Sequence, residues 1–151
     1  MKKFSTIVVA LAMTLLISGF AFAMKDMPHG DKKADDKAMT MHDSMQVMED
    51  NLAMMKKDVE MMKDAGMRKK AMGTMNMHMT DMHHGMEAAK GHAKEKGDKG
   101  MQGSMEQMDK EMMMLMKGMG KTKKDPDAGI PMMEDSIMKM EKTMMQMKSM
   151  M

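Results

Sequence analysis

The sequence has no cysteine, tryptophan or tyrosine and only three prolines, and its three phenylalanines, Phe4, Phe20 and Phe22, all stand near the start. The missing cysteines exclude disulfides, a cysteine-linked lipid anchor and a thiol nucleophile, so whatever holds the fold together is non-covalent. An excess of one charge is missing too. Lys and Arg number 24 against 22 Asp and Glu, a formal net charge of +2; setting Lys2 and Lys3 aside leaves the two signs balanced. No basic field draws such a chain to nucleic acid or to anionic lipid. There is no glycine-rich phosphate loop behind a strand and no Glu-x-x-His pair of the di-iron bundle kind, and enzymatic activity is not expected. Beyond Met24 no long apolar run occurs, which leaves no candidate for a membrane anchor.

The one apolar run, Ile7 to Phe20, follows Lys2 and Lys3 and leads into Ala21-Phe22-Ala23. A positive start, a short apolar stretch and a small-x-small triplet are what signal peptidase needs. Residues 1–23 therefore read as a cleaved secretory signal, with cleavage after Ala23, and the working protein as periplasmic or secreted. Residues 24–38 combine Pro28, Gly30 and alternating charge with almost nothing to bury, and a disordered arm is expected there.

What the sequence does have is methionine, 36 of its 151 residues, of which only Met1 and Met13 fall in the leader. The other large aliphatics beyond the leader are Val47, Leu52, Val59, Leu115, Ile130 and Ile137. Their order is periodic. Met41, Met45, Met48, Leu52, Met55, Val59 and Met62 are spaced alternately four and three apart, which draws one apolar stripe along a helix. A second stripe runs from Met72 through Met75, Met79, Met82, Met86 and Ala89 to Ala93, a third from Met105 to Met119, and a fourth from Ile130 to Met151. Thr40 with Asp43 is placed to cap the first, and Ser104 with Gln107 has the form of a capping box for the third. A turn at Asp64-Ala65-Gly66, a break at Gly97 to Gly100, and a loop from Gly120 to Gly129 separate them, with Pro131 opening the last helix. The reading is an all-α domain over 39–151, with segments at about 40–65, 67–96, 104–119 and 131–151. These should form a loose antiparallel bundle, four-helix by this count, with a methionine-dominated core.

A methionine stripe at helical spacing is ordinarily a core, and methionine is a good helix former. It is nevertheless an odd core residue, because its flexible side chain specifies packing poorly where leucine would do better. Methionines also lie off the stripes, at Met54, Met61, Met67, Met77, Met113, Met114, Met116, Met138, Met145 and Met150. Two uses of a thioether suit an oxidising compartment. Sulfur that needs no deprotonation selects Cu(I), or its analogue Ag(I), over harder ions. Alternatively, thioethers absorb oxidant as methionine sulfoxide, which reductases reverse.

Histidine separates the two uses, because an oxidant sink has no need of it. Met39-x-x-His42-x-x-Met45, Met75-x-x-His78 and His83-x-x-Met86 each set an imidazole and a thioether about one helical turn apart. At ~100° per residue, Met75, His78, Met79, Met82, His83 and Met86 share one wedge of the second helix, whereas His84 points away and His92 lies further along. The candidate ligands for Cu(I) are accordingly Met39, His42, Met45, Met75, His78, Met79, Met82, His83 and Met86. Asp43 and Asp81, beside histidines, read as solvated surface or as partners behind a ligand.

With its MxxH and HxxM pairs, its apparent signal and its lack of cysteine, the chain resembles the methionine- and histidine-rich periplasmic proteins that buffer copper or silver. The stretch His83 to Gly100 is faintly similar to small histidine-rich metal-binding proteins that form four-helix bundles, although this chain carries far fewer histidines. In composition it equally resembles the methionine-rich periplasmic peptides that scavenge hypochlorite alongside a methionine sulfoxide reductase. The first likeness implies a metal ion or a copper-trafficking protein as partner. The second implies the reductase.

Overall fold

The computed structural model of the protein describes residues 39–151; the expected signal (1–23) and arm (24–38), with His29, lie outside the described residues. Four helices make up the fold: α1 (Met41–Lys63), α2 (Arg68–Glu95), α3 (Lys99–Thr122) and α4 (Pro126–Ser149). No strand occurs among the described residues, and none of the helices there is long and apolar enough to cross a membrane.

Each connection has a local chemical cause. Thr40 caps α1 in a full capping box, accepting from the Asp43 amide while the Asp43 carboxylate accepts from the Thr40 amide. After α1, the Asp64 carboxylate accepts from the Gly66 amide at 2.7 Å and folds the turn into α2. At the end of α2, Gly97 takes a positive φ of 66°. The Gly97 amide then reaches the Lys94 carbonyl and the Asp98 amide reaches that of Ala93, the paired bonds of a Schellman stop. Asp98 serves at once as the cap of α3, accepting from the Met101 amide at 2.9 Å.

The third helix therefore begins at Lys99, ahead of the Ser104–Gln107 box, whose Gln107 bonds to Glu111 instead. Starting early buries Met101 and lengthens the stripe by a turn, which offsets the cost of Gly100 and Gly103 in a helix. The expected loop over 120–129 likewise shrinks. Asp125 caps α4 through the Ala128 amide, and Pro126, rather than Pro131, occupies the first turn.

The helices run alternately up and down, and each packs on its neighbours in chain order, with α4 closing onto α1. All four stripes turn inward. Met48, Met55, Met62, Met75, Met82, Met105, Met108, Met133 and Met140 are among the fully buried side chains, joined by Leu115. Each such residue contributes roughly 1.5–3 kcal/mol by leaving water. Met41, Met72 and Met119, at stripe ends, are half-buried against this core, and Met151 lies outside it.

Backbones come closest within the hairpins α1–α2 and α3–α4, because small residues line those contacts. A Cβ on Gly85 would stand 3.1 Å from the Ser44 carbonyl and 3.2 Å from Val47, and one on Gly129 only 2.2 Å from the Thr122 hydroxyl. The two hairpins repeat one pattern. Met41-x-x-Ser44-Met45-x-x-Met48 of α1 returns as Met101-x-x-Ser104-Met105-x-x-Met108 of α3, and Met75, Met82 and Met86 of α2 return as Met133, Met140 and Met144 of α4.

Candidate functional site

The helical wedge of α2 divides once it is packed. Met75, Met79, Met82 and Met86 point into the core, with at most 7% of each exposed. His83 is on the surface. It lies two turns before Lys90, whose ammonium bridges to Asp109 of α3 at 3.4 Å, so His83 belongs to the edge of α2 that faces α3. The Asp109 charge, followed by its hydrogen bond, holds the Lys90 ammonium above its ordinary value. His84 is exposed beside His83, their ring centres 6.5 Å apart.

His78 takes a third direction, toward α1. Its Nδ1 lies 2.7 Å from Oδ2 of Asp58, and the Thr74 hydroxyl donates to Oδ1 of the same carboxylate at 2.6 Å. The Asp58 side chain is only 5% exposed and that of His78 17%. Asp58 thus spends both oxygens on α2, and the imidazole and hydroxyl replace the water it gave up. Among the described residues no buried side-chain nitrogen or oxygen lacks a partner. Sequence reasoning passed over Asp58, because it stands twenty residues before His78 and only antiparallel pairing brings the two together. Its one visible sign is an acidic residue directly beside the apolar stripe, one position before Val59.

Two members of the first predicted group, His42 and Met45 but not Met39, line one cleft at an end of the bundle. They line it with Gln46 and Glu49 of α1, Lys148 of α4 and Met151. Lys148 and Glu49 are paired across it at 2.6 Å, so their charges offset one another. The thioether sulfurs of the cleft carry no charge at any pH, and an imidazole nitrogen is the other soft donor there. Met39, one turn before His42, is 37% exposed, and its carbonyl is hydrogen-bonded by His92. That bond commits His92 to holding the start of α1.

Of the off-stripe methionines, Met67, Met77, Met113, Met114, Met116, Met138, Met145 and Met150 are exposed, whereas Met54 and Met61 are half-buried. No group of three or more His, Asp or Glu that would hold a metal ion by itself occurs among the described residues. No known protein family, no curated protein and no solved structure matches this chain.

Proposed function

We propose that this protein binds and buffers Cu(I), with Ag(I) as its analogue, in the periplasm or outside the cell, through thioether and thioether–imidazole groups. The observation that carries this reading is the cleft at the end of α1, where His42, Met45 and Met151 meet around a neutralised Glu49–Lys148 pair. Neutral sulfur and nitrogen donors suit a soft monovalent ion and discriminate against hard divalent ones. Such a buffer hands its ion to a copper-trafficking protein, and several weak sites serve that exchange better than one rigid centre. Titration with Cu(I) under a competing chelator, without oxygen, should show more than one equivalent bound. The double variant His42→Ala, Met151→Leu should lose the equivalent at the cleft. Absence of any competition would end this reading. Acidification should release imidazole-bound copper before thioether-bound copper, because an imidazole nitrogen can take up a proton and a thioether sulfur does not.

A second reading rests on a different observation. Met138 and Met145 are 62% and 66% exposed on α4, a helix without histidine, and exposed thioethers are open to oxidants. On this reading the protein is a reversible sink for hypochlorite, restored by a methionine sulfoxide reductase. Mild hypochlorite should then modify the exposed methionines without unfolding the bundle, and the reductase should restore them. Failure of the reductase to reverse these sulfoxides would remove the sink and leave ordinary oxidative damage.

A further inference from the structure

We infer that His78, oriented by Asp58, forms a second soft-metal site with the thioether of Met54 in the groove between α1 and α2. This rests on the soft-metal reading above and adds a place that the sequence motifs do not indicate.

The protonation pattern of the ring comes first. An ionised carboxylate only accepts hydrogen bonds, so the 2.7 Å contact between Asp58 Oδ2 and His78 Nδ1 requires the proton on Nδ1. In the neutral ring the lone pair is then on Nε2, on the side turned away from Asp58. A carboxylate behind a histidine in this way fixes the tautomer, aims the ring and makes the free nitrogen a better donor to a metal. Asp58 is itself immobilised, because Thr74 holds its other oxygen at 2.6 Å. The imidazole is therefore set in place before any ion arrives.

The register of the two helices supplies the thioether. Thr74 meets Asp58, and the Cβ position of Gly85 falls 3.2 Å from Val47. These contacts bracket His78 on α2 and Met54 on α1. Stepping two turns along each helix from Gly85 and Val47 arrives at His78 and Met54, since residues seven apart share a face. Asn51, the other donor-bearing side chain on this strip of α1, has its amide committed to the Val47 carbonyl at 2.9 Å. Met75, which the sequence spacing pairs with His78, is fully buried in the core, whereas Met54 is only half-buried. His78 Nε2 and Met54 Sδ make two soft donors, which a d10 monovalent ion accepts together with water or a third thioether. Asp58 acts through His78 and is a positioning residue.

The test uses the whole chain, labelled with 15N and with 13C at the methionine methyls, titrated with Ag(I) and followed by NMR. Before metal, the His78 ring should show the Nδ1–H tautomer. On titration, the His78 Nε2 and Met54 methyl resonances should move together at one stoichiometry. Asp58→Asn should weaken this step about tenfold or more, and Met54→Leu, which preserves packing, should abolish the His78 shift with helicity and melting unchanged. If the cleft resonances of His42 move while those of His78 and Met54 stay fixed to saturation, this site is refuted and the buffer stands. If no histidine or methionine resonance moves, both readings fall.

Discussion

The two hairpins are built on one plan and spend it differently. In α3–α4 the interface is closed by small residues and by hydroxyls that bond within their own helix, Thr122 to the Gly118 carbonyl, Ser136 to that of Met132 and Thr143 to that of Lys139. Nothing polar needs to cross, and the backbones approach until Gly129 has no room for a side chain. In α1–α2 the place corresponding to Gly118 is Asp58 and the place corresponding to Ser136 is His78. There the helices are joined by a carboxylate, an imidazole and a hydroxyl. Every histidine among the described residues is in this first hairpin. One hairpin is a packing device. The other uses the same packing to hold donor groups.

The sharpest way to break this comparison is at its tightest point. Gly129→Ala would set a Cβ 2.2 Å from the Thr122 hydroxyl and 2.4 Å from its amide nitrogen, and backbone cannot yield as a flexible side chain does. A loss of about 3 kcal/mol is expected in denaturant unfolding; a melt like that of the parent would show that α3–α4 is less tightly closed than described. Next comes Asp58→Ala, which leaves the His78 Nδ1–H without its partner, while the Thr74 hydroxyl keeps the Ala71 carbonyl at 3.1 Å, and should cost about 1–3 kcal/mol. Ser136→Ala, at the matching place in the other hairpin, removes a hydroxyl bonded to its own helix and should cost less than about 1 kcal/mol. Equal losses for the two would erase the distinction between hairpins.

A smaller effect is expected at Gly85. Its nearest neighbours would be Met48 Cγ at 3.0 Å and the Ser44 carbonyl at 3.1 Å, an overlap of tenths of an ångström beside the far deeper one at Gly129, so Gly85→Ala should cost about 1 kcal/mol. Smallest of all is the clasp between hairpins formed by Lys90 and Asp109. The Lys90 ammonium titrates above its ordinary 10.5 in the folded state. Its contribution is therefore fully present below the unfolded value and is lost as pH rises through the higher folded one. Unfolding curves taken through that alkaline window should show a slight loss of stability that Lys90→Gln flattens. Because the pair is solvent-exposed, a large loss there would point to another group.

Much of this arrangement was legible in residue spacing. The four stripes predicted four inward faces, and residues from Met45 to Met147 on them are buried. The cap at Thr40 was readable because the residues of a capping box are near one another in sequence. The start of α3 was not, because its cap is Asp98 and not Ser104, and Asp98 is placed there by the way α2 ends. The duplicated hairpin was also present in the sequence, in the return of Met-x-x-Ser-Met-x-x-Met, but methionine abundance masks any repeat made of methionine. Of the candidate donor groups, His42 and Met45 line one cleft, and Met151 joins that lining from α4's end of the sequence.

Helix class, stripe direction and the supply of soft donors are thus properties of the sequence by itself, since each follows from periodicity and composition over a few turns. Which methionines are core and which are open to solvent, and which carboxylate stands behind which imidazole, belonged to the tertiary structure alone. A stripe three or four residues in period says which side of a helix is apolar. It does not say which residue of another helix, twenty or a hundred positions away, will lie across from it, and for a thioether or an imidazole that opposite residue decides between packing and chemistry.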